Sequence, residues 1–147
     1  MKLLLGGEKM EKLIINTKKA PAALGPYSQA VKVGNILYTS GQLAINVATG
    51  EFINDDIKKA TAQSLDNIKA ILEQAGSSLD KVVKTLVFLK DMNDFDSMNE
   101  IYSKYFITNP PARSCVQAGK LPKDALVEIE VIAIRSEERR VGKECME

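Results

Sequence analysis

The chain has 147 residues, of which 45% are apolar and 27% are charged, and its formal net charge is +1. This composition is typical of one globular domain, and a charge so close to zero gives no electrostatic reason to expect nucleic acid or an anionic membrane as a partner. No apolar run is long enough to span a bilayer, and the short run after Met1 lacks a cleavage site, so we expect a cytoplasmic protein.

The chain contains no histidine and two cysteines, Cys115 and Cys145. Two distant cysteines do not form a disulfide framework, and without histidine they make a poor zinc site. The absence of histidine also excludes Ser-His and Cys-His nucleophilic catalysis. Because no glycine-rich phosphate loop is present either, we expect neither a metal nor an organic cofactor.

The two ends of the chain differ in pattern from the middle. We interpret residues 1–9 as an N-terminal extension and residues 10–135 as a single domain. Residues 136–147 carry mixed charges without a clear apolar face, which indicates a disordered tail or a scar of cloning.

The first part of the domain predicts three strands. Residues 12–16 form a short strand. Residues 30–33 and 36–40 form a hairpin, because the pair Gly34-Asn35 between them suits the positive φ angles of a tight turn.

A helix is predicted over residues 56–75, where apolar side chains recur at helical spacing. Asn54 or Asp55 can cap its first turn through the side chain. Gly76 can end it, since glycine readily adopts the left-handed conformation that follows many helices.

The second part of the domain predicts one more helix between three more strands. Residues 82–90 are rich in β-branched and aromatic side chains, which favours a strand. Residues 94–106 carry an apolar stripe at helical spacing, and the prolines of residues 109–111 end that helix. Residues 114–118 and 125–134 form the last two strands.

The resulting order, β-β-β-α-β-α-β-β, predicts an α+β fold with two helices packed on one face of a mainly antiparallel or mixed sheet. Apolar side chains of the strand at residues 82–90 point to both faces: Val83, Val87 and Leu89 to one, Leu86 and Phe88 to the other. The helices can cover only one face, so the other needs a partner. Association of several copies into a closed ring would supply it.

Arg113 follows two prolines at the entry to a strand. Its guanidinium can form a surface or interface ion pair, or it can grip a substrate carboxylate through two parallel hydrogen bonds. Cys115 lies two residues further and leaves the strand on the same face. It is either a small buried hydrophobic residue or a residue that lines a site.

Glu128 and Glu130 alternate with apolar residues in the last strand and point to the same face. Isolated burial of a carboxylate is costly, so one of them can pair with Arg113 or Lys123 while the other remains free to hold water. A carboxylate in apolar surroundings can exchange protons near neutral pH.

Three other residues are candidates with simple structural alternatives. Tyr27 follows the rigid pair Gly25-Pro26, and its ring can pack on the core or project over a cleft. Ser40 and Gly41 end a strand, and strand termination alone explains them. Asn99 lies on the other side of the apolar stripe of the second helix, and we assign it no role.

Three motifs in the same order resemble the RidA/YjgF family of imine deaminases. They are residues 25–29, residues 39–42 and residues 111–117, the last of them followed by residues 121–130. The resemblance extends over residues 11–135. It implies a chorismate-mutase-like fold, a homotrimer and sites in clefts between subunits.

The resemblance also implies roles for individual residues. Arg113 matches the arginine that binds the substrate carboxylate, and Glu128 matches the glutamate that activates water, whereas Glu130 is expected to be structural. Four further positions match residues that line the substrate site: Tyr27, Ser40, Gly41 and Cys115.

The function that the resemblance implies is hydrolysis of reactive 2-imino acids or their enamine tautomers to 2-oxo acids and ammonia. The expected substrates are 2-iminobutanoate and 2-iminopropanoate, and no cofactor is required. Two alternatives stay open. One is a protein that binds small 2-oxo acids without turnover. The other is an endoribonuclease or translation inhibitor, against which the near-zero charge and the missing histidines argue.

Overall fold

The computed structural model describes residues 2–5 and 8–135, with side chains from Glu11 onward. The predicted tail at residues 136–147 lies outside the described residues, and so does Cys145. The described residues form one mixed sheet with two helices on one of its faces, as the order of the predicted elements indicates.

Seven strands form the sheet in the spatial order β1-β2-β3-β4-β7-β5-β6. Neighbouring strands are antiparallel except for β5 and β6, which are parallel and are joined through a helix, as a parallel connection requires. The strands are β1 (Lys2–Leu5), β2 (Glu8–Ile15), β3 (Ala30–Val33), β4 (Ile36–Thr39), β5 (Val82–Leu89), β6 (Ala112–Gln117) and β7 (Val127–Ile134).

The N-terminal extension adds a strand that the sequence pattern did not predict. The first strand of the domain was expected at residues 12–16, but β2 already begins at Glu8. Strand β1 pairs with it in antiparallel register, from Lys2 opposite Glu11 to Leu5 opposite Glu8. Strand β1 is therefore an edge strand, and it adds a seventh strand to the sheet that β2–β7 form.

The two helices are α1 (Ile57–Gln74) and α2 (Phe95–Tyr105), each within one or two residues of its predicted bounds. Gly76 has a φ angle of +81° just after the end of α1, which confirms the predicted stop. Neither helix is long and apolar enough, among the residues described, to cross a membrane.

The cap of α1 differs from the predicted one. The carboxylate of Asp56 accepts hydrogen bonds from the backbone N–H groups of Lys58 (2.9 Å) and Lys59 (3.2 Å). Asn54 instead holds a distant loop: it donates to the carbonyl of Asp124 and accepts from the N–H of Leu126. The expectation of Asn54 or Asp55 was wrong because the helix begins one residue later than a cap at Asp55 requires and two later than a cap at Asn54 requires.

The core lies between the helices and the sheet face that they cover. Its members are almost completely shielded from solvent, so burial of their apolar surface is the main stabilising contribution. The principal core residues are Leu65, Ile68 and Leu72 of α1, Met98 and Tyr102 of α2, and Leu37, Val87, Leu89, Ile129 and Val131 of the strands.

A β-bulge at the start of β5 changes which valine is buried. The register with β7 shifts between Val82 and Lys84, so that Val83 is the additional residue. Val82 is 5% exposed and Val83 is 46% exposed. The prediction that Val83 shares a face with Val87 and Leu89 was therefore wrong, because strict alternation fails at the bulge.

The second face of the sheet is not covered by either helix of the described residues, and we call it the open face. One row of apolar side chains crosses four of its strands in register: Ile14, Val31, Tyr38 and Ile132. Ile14 is 56% and Tyr38 is 47% exposed. Leu86 and Phe88 of β5 lie on the same face, so the sequence prediction for this side of β5 is confirmed.

We expect Asp56→Ala to lower the free energy of unfolding by about 1 kcal/mol, because it removes the side-chain acceptor for two N–H groups of the first helical turn. Denaturant-induced unfolding monitored by circular dichroism measures the change. Asp55→Ala is the matched control, since it removes the same charge from the exposed neighbouring position. An equal loss in both variants would contradict the assignment of Asp56 as the cap.

Candidate active site

Arg113 lies on the edge strand β6, and its side chain is held by α2. The guanidinium carbon Cζ is 4.7 Å from the centre of the Tyr102 ring and 5.5 Å from that of Phe95, which are cation–π contacts. Nη1 donates a hydrogen bond to Oδ1 of Asn99 at 2.6 Å. Within the described residues no carboxylate lies at salt-bridge distance from Arg113, so the ion-pair alternative is not observed there.

Asn99 was placed by sequence reasoning on the other side of the apolar stripe, and this was wrong. It lies four residues after Phe95 and three before Tyr102, a spacing that puts all three on one helix face. Its side-chain oxygen is the acceptor for Arg113. The signal that could have found it is this spacing, in which one amide lies between two aromatic residues.

Tyr102 is fixed from the other side by the sheet. Its hydroxyl shares a 2.8 Å hydrogen bond with Oγ1 of Thr85, and both side chains are buried. Burial raises the pKa of the Tyr102 hydroxyl. The ring that contacts Arg113 is therefore neutral and held between α2 and β5.

Cys115 lies on the same face of β6 as Arg113, as the sequence predicted. Its side chain is half-buried and packs against the core. Burial raises the pKa of the Cys115 thiol, and the charge of Arg113 opposes that shift only in part. The residue is thus a protonated thiol and not an activated thiolate.

Glu128 and Glu130 of β7 lie on the open face, with their register partners Phe88 and Leu86. Burial raises the pKa of the Glu128 carboxyl, and the charge of Glu130 adds to that rise. Neither carboxylate is within salt-bridge distance of Arg113 or Lys123 in the part of the chain that the structure describes. The pairing considered for one of them is therefore absent from this part.

The Glu128 carboxyl lies directly against the backbone of Gly41. A β carbon added at Gly41 would lie 2.7 Å from Cδ and 2.8 Å from Cγ of Glu128, distances that no real contact tolerates. The two residues meet because the next residue, Gln42, exchanges backbone hydrogen bonds with Ile129 of β7 (2.8 and 3.3 Å). Any larger residue at this position would therefore require the flexible Glu128 side chain to shift, because the carboxyl occupies the space of a side chain.

Ser40 connects the end of β4 to the segment that precedes β3. Its hydroxyl donates to the carbonyl of Ser28 at 2.5 Å, and its N–H donates to the carbonyl of Gln29 at 2.9 Å. The Gln29 side chain, which sequence reasoning did not select, is 2% exposed and bonds the backbone of Thr17 in both directions. These contacts fix the loop that carries Tyr27.

Tyr27 is 55% exposed and borders a recess of about 230 Å³ that also includes Gly41. The recess therefore opens beside the backbone on which the Glu128 carboxyl lies. Two predicted site residues, Tyr27 and Gly41, line this recess, and Glu128 lies against Gly41. Ser40 precedes Gly41 in the chain but does not line the recess.

The remaining two predicted residues belong to a separate group. Arg113 and Cys115 are in register with Thr85 and Val87, whose side chains are buried on the helix-covered face. Glu128 is in register with Phe88, on the opposite face. Residues paired across strands share a face, so one chain places the arginine and the glutamate on opposite sides of its sheet.

Comparison with known proteins finds relatives over most of the chain. A sequence model of the Endoribonuclease L-PSP family matches residues 17–135. A RutC family protein of Pyrococcus abyssi is 54% identical over 126 residues, which cover 86% of this chain and 99% of the relative. The 2-iminobutanoate/2-iminopropanoate deaminase of Escherichia coli K12 is 50% identical over 124 residues, which cover 82% of this chain and 96% of the enzyme.

The fold is also that of solved relatives. The crystal structure of TdcF from Escherichia coli with bound serine superposes with a TM-score of 0.81 at 46% identity, covering 85% of this chain and all of that one. Strands β1 and β2 both precede the matched family region. The chain belongs to the Endoribonuclease L-PSP family, which includes the RutC, RidA and YjgF proteins that its motifs resemble.

Proposed function

We propose that this protein hydrolyses 2-imino acids and their enamine tautomers to 2-oxo acids and ammonia, as a 2-iminobutanoate/2-iminopropanoate deaminase. The observation that carries the proposal is the half-buried Glu128 carboxyl. It lies against Gly41, its pKa is raised, and it adjoins a small recess. The 50% identity to a deaminase of that name supports the same conclusion.

In the proposed reaction, Arg113 binds the substrate carboxylate and thereby orients the C2 carbon. Glu128 accepts a proton from water while the water oxygen attacks C2. It then returns the proton to the nitrogen and accepts the proton of the new hydroxyl group as the C–N bond breaks, so that ammonia and a 2-oxo acid are released. A protonated imine is already electrophilic, so the reaction needs neither a metal nor an organic cofactor. We expect it to take place in the cytoplasm.

We further propose that the active site is shared between subunits of a homotrimer with a chorismate-mutase-like arrangement. Arg113 and Glu128 of one chain lie on opposite faces of the sheet and cannot contact one small substrate together. The apolar row of the open face supports association, because so much exposed apolar surface is typical of an interface. In a closed ring, Arg113 of one subunit would meet Glu128 of the next.

The family description and several relatives raise the ribonuclease alternative. A net charge of +1 and the absence of histidine provide neither the phosphate-binding charge nor the usual acid–base residue for that reaction. Binding of 2-oxo acids without turnover would use the same arginine. The variants below therefore distinguish the deaminase from both alternatives.

Glu128→Gln keeps the shape of the side chain and removes the base. We expect it to lower turnover by about a hundredfold or more while 2-oxo acid affinity changes little. The assay generates imines with an amino-acid oxidase and follows their loss with semicarbazide trapping. Glu130→Gln is the matched control on the same strand and face, and it should keep most of the activity. The deaminase proposal fails if the wild-type protein does not accelerate imine loss above the spontaneous rate.

Arg113→Ala should weaken the binding of 2-oxobutanoate by about 30- to 150-fold, because it removes charge-assisted hydrogen bonds to the ligand carboxylate. Isothermal titration calorimetry measures the affinity. Lys104→Ala, at an exposed position of α2, is the control for the loss of one positive charge.

Mixed trimers test whether Arg113 and Glu128 come from different chains. If the site is shared, refolding equal amounts of Arg113→Ala and Glu128→Gln together leaves about one site in four with both native residues. The mixture should therefore regain about a quarter of wild-type activity. No recovery, with mixed trimers demonstrated by mass spectrometry, would mean that one chain supplies both residues.

Gly41→Ala should reduce turnover by at least about tenfold, because the added methyl group forces the Glu128 carboxyl to move. Steady-state kinetics together with circular dichroism separates this effect from a loss of folding. Gly119→Ala is the control, since a β carbon there meets no atom within 4 Å. Wild-type turnover in Gly41→Ala would contradict the proposed position of the carboxyl during the reaction.

A further inference from the structure

The recess beside Gly41 has walls that suit an apolar group. Aliphatic residues and prolines are six of the eleven residues that line it, and its volume is about 230 Å³. Two buried amides also border it, but both are engaged within the chain: Gln29 with backbone groups on three residues, and Gln42 with the carbonyl of Ser40. The apolar residues that line the recess are Pro21, Ala22, Leu24, Leu43, Ile45 and Pro122.

Lys123 is the one charged residue among the described residues that line this recess. Its φ angle is +57° and that of Asp124 is +55°, left-handed conformations that are unfavourable for residues other than glycine. Two contacts hold this turn. Asn54 bonds the backbone on either side of Ala125, and Lys90 forms a 2.9 Å ion pair with Asp124. The backbone of Lys123 is therefore fixed at the rim, unlike that of a lysine in a free loop.

The geometry of the substrate assigns the recess an occupant. The C2 carbon of an imino acid carries a carboxylate, a nitrogen and a side chain. In the proposed reaction C2 lies at Glu128 and the carboxylate points to an arginine on the neighbouring chain. Gly41 contacts Glu128 and also lines the recess, so the recess is a described space beside the carboxyl that can receive the side chain.

We propose that this recess receives the substrate side chain and that Lys123 determines which side-chain charges the site accepts. This inference rests on the proposed function. Aliphatic side chains fit the walls, side chains that end in a carboxylate are attracted by the Lys123 ammonium, and cationic side chains are repelled. Lys123 thus acts as a specificity residue and takes no part in the proton transfers.

Charge reversal at the rim tests the proposal. Lys123→Glu and Lys123→Ala are compared with the wild type and with Lys120→Glu, an exposed residue of the same loop that does not line the recess. The probes are the 2-oxo acids that correspond to leucine, glutamate and arginine. Calorimetry gives their affinities without requiring turnover, and the oxidase-coupled assay gives kcat/KM for the matching imines.

Lys123→Glu should change the ratio of glutamate-type to arginine-type affinity by about tenfold in favour of the cationic ligand, because an exposed charge interaction is modest and two such terms change together. Lys123→Ala should give an intermediate ratio. The leucine-type ligand should bind equally to all variants, and the ratio change should shrink in about 1 M salt.

The result that overturns the proposal is a ratio that Lys123→Glu leaves unchanged, or that Lys120→Glu changes equally. The calorimetric affinities of the 2-oxo acids measure the effect of the Lys123 charge without turnover. They therefore test the recess assignment even if the wild-type protein hydrolyses no imine. Failure of the wild-type protein to hydrolyse imines would overturn the proposed function alone. Normal turnover with an unchanged ratio of glutamate-type to arginine-type affinity would overturn the further inference and leave the proposed function intact.

Discussion

A sheet has two faces, and the two helices of this chain cover only one. The covered face carries the core, in which Leu65, Ile68 and Met98 meet the buried side chains of the strands. The open face keeps an in-register row of apolar side chains at the surface and places Glu128 near it. The position of the carboxyl and the separation of Glu128 from Arg113 both follow from this one-sided packing, and so does the proposal that a second copy covers the open face.

The helix-covered face also organises the arginine. Thr85 is the register partner of Arg113, and it bonds the hydroxyl of Tyr102, whose ring in turn contacts the guanidinium. The three residues lie on β5, α2 and β6, so their contacts connect three elements of the fold. A free arginine side chain loses about 2 kcal/mol of rotamer entropy when it is ordered. Here the contacts with α2 already order the Arg113 side chain without any ligand.

Glu128 illustrates the opposite balance, in which the role that we propose for a residue opposes stability. Its pKa is raised in the folded chain by burial and by the charge of Glu130. A carboxyl with a raised pKa favours folding while it is protonated, below its unfolded-state pKa, and this contribution is lost as the pH rises through the folded-state value. At neutral pH the carboxyl is therefore a stability cost, which is a common property of catalytic groups.

Local sequence patterns determined the secondary structure and the identity of the candidate residues. The periodicity of α1 and α2 is a property of consecutive residues, so their bounds were predicted within two positions. The motifs identified Arg113, Glu128 and their neighbours in the same way. The helix predictions succeeded because each depends on residues close together in the chain.

Only the tertiary structure decided how these residues are grouped. Asn99 reaches Arg113 because α2 packs over β6, and Val83 is exposed because β5 and β7 shift register at a bulge. Arg113 and Glu128 face opposite ways because each follows the register of its strand against β5. A shift of one residue in strand pairing exchanges the two faces, and that pairing joins segments far apart in the chain, which no local pattern records.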